Sequence, residues 1–324
     1  MNVSQLEPIV YSKPKSKTKS WFKEFKAQWD LQILVIPAII YIIIFNYIPM
    51  WGIMFAFQDY DIFKGFLKSD WVGLKQFHIL FNSPDFLLIM NNTLTISFLK
   101  LLILFPAPII LALILNEVRN ERFKRIVQTI TYLPHFISWV IVAGFVTSFL
   151  AVDNGSLNML LKSLGLIKES ISWLSIPQYF RTILISSGLW KEIGFSSIVY
   201  LAAISGIDTT QYEAAEVDGA SRLKQIFSIT LPNIAPIIGI FLILAIGNLL
   251  NAGFEDILVL TNNGGNSILR DTSEVLDTYV YKQGLGSLRY SYATCVGLFK
   301  SVINIVLLCS ANFVVKKMGN DSLW

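Results

Sequence analysis

Long apolar runs separated by shorter polar segments organise this chain. They cover residues 31–57, 91–115, 127–151, 182–206, 233–250 and 290–315. The first holds 27 residues without a charge, and a helix needs about 20 to cross a hydrocarbon layer. The other five are also long enough, although Lys100, Lys191, Glu192 and Lys300 interrupt them and charges inside a bilayer are costly. The pattern predicts an all-α integral membrane protein with six transmembrane helices. Between the first two runs, Leu74, Phe77, Leu80 and Phe81 form a stripe at helical spacing, which predicts a short helix on the outer surface. Residues 251–289 contain Asn262-Asn263-Gly264-Gly265-Asn266 and five acids, turn chemistry that predicts a solvated loop.

The charges orient the spans. Segments 1–30, 116–125, 207–232 and 316–324 carry 14 Lys and Arg in 75 positions, against 9 in 102 for segments 58–90, 152–181 and 251–289. The positive-inside rule therefore places both termini in the cytoplasm. The resulting organisation is a basic cytoplasmic tail (1–30), a first transmembrane helix with an outer surface segment (31–90), a five-helix core (91–315) containing a cytoplasmic loop (207–232), and a second tail (316–324). The first run is too long for a secretory signal and has no small-residue cleavage site after it. Of the 324 residues, 54% are hydrophobic and 15% charged, and mean hydropathy is +0.57, which excludes an ordinary water-soluble domain. A net charge of +4, scattered along the chain, gives no nucleic-acid footprint. Cys295 and Cys309 lie in one apolar run. About 21 Å apart on a helix, they are packing residues rather than a disulfide.

The loop at 207–232 is more regular than a connector requires. Thr210 and Glu213 have capping-box spacing, predicting a helix from Gln211. Ala214 and Ala215 keep that helix thin, Gly219 turns or interrupts it, and Pro232 suits the first turn of the fifth span. Physically, a surface helix that merely joins two spans would also satisfy these features.

The same residues resemble a known family. Glu213-Ala214-Ala215, Gly219 and Ile229-x-Leu231-Pro232 are similar to the EAA loop of permease subunits of bacterial ABC importers. Asp218, Ala220 and Phe227 resemble its carbohydrate branch. The likeness extends through Phe45-Asn46-Tyr47-Ile48-Pro49-Met50-Trp51-Gly52, Trp71-Val72-Gly73-Leu74, Asn116-Glu117-Val118-Arg119 and Tyr132-Leu133-Pro134-His135-Phe136-Ile137-Ser138-Trp139. These are similar to oligosaccharide and polysaccharide importers, above all the first permease subunit of alginate importers. The resemblance implies a type I importer fold in the bacterial inner membrane. It implies a second permease subunit, two cytoplasmic ATPase subunits and an extracytoplasmic solute-binding protein. ATP and Mg would be bound by the ATPase, with no cofactor in this chain, and Glu213, Ala214, Ala215, Asp218, Gly219, Ile229, Leu231 and Pro232 would couple the two.

Other features bear on the function class. The chain has no phosphate-binding loop, since Gly297-Leu298-Phe299-Lys300-Ser301 lacks the second glycine. No metal or catalytic cluster is expected, because His78 and His135 stand alone; His135 reads as a hydrogen-bonding residue. A self-contained ion-coupled transporter or channel is the alternative, but it would be expected to show inverted repeats and intramembrane acids. A membrane enzyme would need converging acid and base groups. Candidate pathway residues are Lys100, Lys191, Lys300, Trp139, Trp190, Tyr292 and Asn304. The aromatic and amide side chains could equally be packing residues. The three lysines lie at about one depth, about 14 Å from the outer ends of their spans. Cations there would face water, a carboxylate or an anionic ligand, so at least two are expected to line the pathway and attract an acidic saccharide.

Overall fold

A computed structural model describes residues 28–317 and 323. The chain forms two units, one ending at Gly52 and the other beginning at Ile53. The first unit contains most of α1 (Trp29–Phe57). Its helical residues from Trp29 to Met50 bury nothing among themselves, as expected of a single helix apolar along its length. A π turn at Ile43–Tyr47 precedes Pro49. There the Ile48 N–H reaches back five residues to the Ile43 carbonyl, which gives room to a proline ring that would otherwise press on the carbonyl four residues back.

In the second unit a short antiparallel pair, β1 (Gln58–Asp59) and β2 (Asp70–Trp71), is the one departure from helix among the regular elements described. The short helix expected around residues 74–81 follows as α2 (Lys75–Phe81). Next come α3 (Phe86–Glu117), α4 (Glu121–Tyr132), α5 (Trp139–Phe149) and α6 (Ser156–Ser163). The long α7 (Pro177–Ser205) leads to α8 (Thr209–Val217), α9 (Arg222–Gly247) and finally α13 (Tyr290–Lys317). Helices α1, α3, α9 and α13 are each long and apolar enough to cross a membrane, and so are two bent pairs, α4 with α5 and α7 with α8, giving up to the six spans expected.

The run expected at 127–151 is not one straight span. A 3-10 turn, Leu133–Phe136, ends α4, and the arm through Phe136 lies at 104° to α5. Pro134 stops the α-helical ladder, Ile137 is extended, and Ser138 caps α5 by accepting from the Ile141 N–H. The α4 side of the break rests on α7, whereas α5 packs on Glu255–Leu260. Gly194 lies so close to the Thr131 backbone that a Cβ would collide with its carbonyl, so glycine sets how tightly α4 and α7 approach.

Residues 251–289 do not form the expected solvated loop. They fold into α10 (Glu255–Leu260), α11 (Arg270–Ser273) and α12 (Leu276–Tyr281). Two of the five acids that suggested solvation are turned inward, Asp256 and Glu274 being buried, while Glu255 and Asp271 stay exposed. Ile257, Leu260, Leu269 and Val275 pack with Ile96, Phe180 and Leu184 of the spans. Glu274 holds Arg270 at 2.7 Å and Lys282 at 2.8 Å. Burial alone would raise its pKa, but the hydrogen bonds and charges of Lys282 and Arg270 outweigh that and hold it below the usual carboxylate range.

Candidate functional site

In the 207–232 loop a helix forms, but its start differs from the sequence expectation. Helix α8 begins at Thr209, and its cap is Asp208, whose carboxylate accepts the Thr210 N–H at 3.0 Å. The expected Thr210–Glu213 capping box is therefore replaced, because Asp208 reaches the open N–H groups first. Hydrogen bonds from the Thr210 backbone and side chain hold the Asp208 pKa below its ordinary value.

The other end of α8 closes in a Schellman turn. The Gly219 N–H donates to the Glu216 carbonyl at 3.1 Å and the Ala220 N–H to the Ala215 carbonyl at 2.8 Å. Gly219 has φ +74°, and no atom lies within 4 Å of a built Cβ. Backbone geometry rather than packing within this chain is what requires glycine there.

The fifth span begins well before the apolar run does. Ser221 caps α9 from Arg222, and Pro232 lies inside that continuous helix rather than in its first turn. A π turn, Ile226–Thr230, precedes Pro232, the same accommodation used before Pro49. Two side-chain bonds fasten α8 to this helix: Tyr212 Oη to Thr230 Oγ1 at 2.9 Å, and Asn233 Nδ2 to Gln211 Oε1 at 3.0 Å.

These contacts leave Glu213, Ala214, Asp218, Gly219 and Pro232 exposed, with Ala215, Ile229 and Leu231 half-buried. Beside them stand Val217 at 89%, Leu223 at 68% and Phe227 at 67% exposure. The loop therefore presents a compact face that is partly apolar and carries Glu213. Val217 and Leu223 were not singled out from the sequence, since isolated apolar residues in a polar loop carry no periodic signal.

The candidate pathway residues do not gather into one site, and the lysines are not free cations. Lys100 Nζ lies 2.5 Å from Asp256 Oδ2, and Lys300 pairs with Asp277. Lys191 is buried and donates to the His135 carbonyl at 2.6 Å, with Glu192 Oε1 at 3.4 Å and the Trp139 ring 5.8 Å away. His135 meets Glu192 Oε2 through Nδ1 at 2.7 Å and stacks on Phe195 with ring centroids 3.8 Å apart. The premise of unpaired intramembrane charge is thus corrected. Asp256 and Asp277 come from the segment read as a solvated loop, where hydropathy alone could not reveal them.

Of the remaining candidates, Trp190 is exposed. Tyr292 is buried, with its hydroxyl 3.1 Å from that of Tyr279. Asn304 accepts the Leu250 N–H at 3.1 Å. The last two do structural work within this chain. Among the described residues, no group of three His, Cys, Asp or Glu is placed to hold a metal ion.

Two neighbouring cavities open beside α3 and α9, the larger of them also bounded by α7. One, about 450 Å³, is mainly apolar and includes Phe195, Tyr200 and Phe241. The other, about 310 Å³, includes Ser97, Lys100, Asn248 and Asn251. Leu104, Phe105, Ala245 and Asn248 line both. This is the concave surface where a ligand could meet polar groups within the membrane.

Residues 104–320 match the family described as binding-protein-dependent transport system inner membrane component. The chain belongs to this family. The permease is 46% identical over 305 residues to the protein LplB of Bacillus subtilis (strain 168), covering 94% of each chain. It is 45% identical to YteP of the same organism, a polygalacturonan/rhamnogalacturonan transport system permease, over 98% of this chain and 97% of that one. A crystal structure of a bacterial alginate ABC transporter, in complex with a periplasmic protein bound to an alginate pentasaccharide, contains a chain that superposes with a TM-score of 0.85. That chain is 42% identical, with 94% of this chain and all of that one covered. The permease is thus a multi-pass inner-membrane transport component of type I ABC importer fold, and not an enzyme.

Proposed function

We propose that this permease is one of two membrane subunits of an ATP-driven, binding-protein-dependent importer for oligosaccharides containing uronic acids. The supporting observation is its likeness to both the polygalacturonan/rhamnogalacturonan permease and the alginate transporter. Polygalacturonan and alginate are both built from uronic acids, so the shared chemistry is a carboxylate on the sugar ring. The intramembrane lysines do not themselves carry this reading, because each has a partner inside the chain.

In this reading the permease forms half of the pathway beside a second, different permease chain. Saccharide arrives on an extracytoplasmic binding protein, and two cytoplasmic ATPase subunits bind ATP and Mg. Lipid surrounds the spans, and the density of Lys and Arg supports cytoplasmic termini. Helix α8 and the start of α9 dock on an ATPase subunit, with Val217, Leu223 and Phe227 supplying the apolar contact and Glu213 a charge at its edge.

The test is reconstitution of the co-purified complex with its binding protein. Uptake of uronate oligosaccharides but not of neutral ones of equal length is expected, and the reverse preference would refute the substrate class. Glu213→Ala leaves the Asp208 cap intact, so its effect reports docking. Binding-protein-stimulated ATPase activity should fall about 5- to 30-fold, the size of a 1–2 kcal/mol loss, while the binding protein still holds saccharide. Unchanged stimulation would remove Glu213 from the coupling surface.

A further inference from the structure

We propose that the Lys100–Asp256 pair is a carboxylate-exchange site, at which a uronate carboxylate of the passing saccharide replaces Asp256 on the Lys100 ammonium. Asp256 is the internal stand-in for the ligand. The proposal rests on the uronate reading above and adds to it the residue that recognises the acid group.

The geometry at Lys100 differs from that at the other two intramembrane lysines. Its side chain is 21% exposed, whereas that of Asp256 is 7% exposed, and Lys100 lines the cavity of about 310 Å³. An ammonium has three donors, and Asp256 takes one of them. Lys191, by contrast, is nearly enclosed and bonded to a backbone carbonyl. Lys300 lines neither this cavity nor its larger neighbour.

A second, independent feature points to a ligand in the same cavity. Ser97 lies one helical turn before Lys100 on α3 and lines the cavity with it. Its residue is buried and its hydroxyl has no hydrogen-bond partner. A buried polar atom without a partner is costly and rare in a folded chain. A saccharide hydroxyl or carboxylate oxygen beside Lys100 would satisfy it, and the Asn248 and Asn251 side chains complete a rim suited to sugar hydroxyls.

Gly253 defines the direction of approach. It has φ +120°, and a Cβ there would collide with the Asp256 carboxylate and crowd Lys100 Nζ. Backbone therefore seals one side of the pair, leaving the cavity side for a ligand.

Exchange suits transport on electrostatic grounds. A bare ammonium at this depth would be strongly disfavoured without a ligand, and a buried charge stripped of its partner is strongly destabilising. Replacing one carboxylate by another keeps the ammonium paired throughout at the expense of the displaced Asp256, so the loaded site carries one net negative charge and Asp256 draws Lys100 back. It also keeps binding weak enough for release, since Asp256 competes for its place with every departing ligand.

The test uses the full complex in liposomes, with the binding protein loaded either with a uronate oligosaccharide or with the same oligosaccharide after reduction of its carboxyl groups to alcohols. The variant is Lys100→Gln/Asp256→Asn, which keeps a hydrogen-bonding pair of similar shape without charge. The readout is the ratio of the two initial uptake rates, so the preference of the common binding protein cancels between wild type and variant. A fall in the uronate-to-reduced ratio of tenfold or more is expected, and Ser97→Ala should lower uptake of both saccharides. A ratio equal to wild type, whether or not overall uptake drops, would show the pair to be structural and overturn the proposal. If the wild-type complex imports no uronate saccharide, it is the substrate reading that fails.

Discussion

Gly219 offers the sharpest test of how the 207–232 loop holds its shape. Helix α8 has nine residues, too few for stability on its own in water, so its end structures matter. Gly219→Ala places a Cβ on a residue at φ +74° where nothing within 4 Å would clash. The cost is therefore the left-handed backbone penalty alone, about 1–2 kcal/mol. That penalty falls on the two Schellman bonds from the Gly219 and Ala220 N–H groups. A loss of this size shifts the local equilibrium about 5- to 30-fold towards the frayed form. Hydrogen exchange of the Ala220 amide in the purified complex should accelerate by that factor, while amides in α7 keep wild-type rates. Asp208→Ala removes the opposite cap at about 1 kcal/mol, and the double variant should show the sum, since the two ends share no partner. A fall in ATPase stimulation beyond that expected from the exchange data would mean that the partner subunit packs against Gly219 as well. Wild-type exchange at Ala220 in Gly219→Ala would refute the backbone argument.

Two further substitutions test the packing around the spans. Gly194→Ala drives a Cβ into the Thr131 carbonyl. Overpacking of this kind costs about 1–3 kcal/mol or more, so the thermal midpoint of the purified subunit should fall, and an unchanged midpoint would show that α4 and α7 separate freely. Glu274→Gln removes the buried anion from Lys282 and from Arg270, which keeps Asp85 at 2.7 Å; both cations are partly exposed, so the loss is that of charge-assisted hydrogen bonds, about 1.5–3 kcal/mol, and should expose segment 254–286 to protease. The pH dependence follows from the depressed carboxylate. Because the folded form holds its proton less tightly than the unfolded form, the stabilisation is complete above the ordinary carboxylate pKa and is withdrawn as pH falls through the lower, folded value. Acid-induced protease sensitivity of this segment in wild type, absent as a separate step in Glu274→Gln, is the expected result.

The apolar runs located the spans because a lipid-facing helix must be apolar along its length whatever its neighbours are. Their ends were less legible. Helix α9 starts at Arg222, not at residue 233, since a helix continues through a polar loop when caps such as Ser221 support it. The break at Leu133–Phe136 was hidden in an unbroken apolar run, with Pro134 as its sole sequence sign. The lysine partners were hidden for another reason. Asp256 pairs across 156 positions of sequence, and a window of hydropathy reports only local composition. Buried acids in segment 251–289 therefore look identical to solvated ones until the fold brings the lysines to them.

That pairing changes how charge in this membrane domain should be understood. Three lysines at one depth suggested a basic lining, yet the chain supplies Asp256, Asp277 and Glu192 against them. A fixed cationic pathway would hold a polyanion at every step, whereas paired charges present a neutral surface that can rearrange. The rearrangement also has a mechanical route to the proposed docking surface. Helix α9 runs unbroken from Arg222 to Gly247, about 39 Å at 1.5 Å per residue. One end is tied to α8 through Tyr212–Thr230 and Gln211–Asn233, and the other leads directly into Asn248, Asn251 and Gly253 beside the Lys100–Asp256 pair. In the proposed reading, a displacement of α8 is delivered to that pair by one helix, whose softer points are the π turn at Ile226–Thr230 and Pro236, where the regular hydrogen-bond ladder is already interrupted.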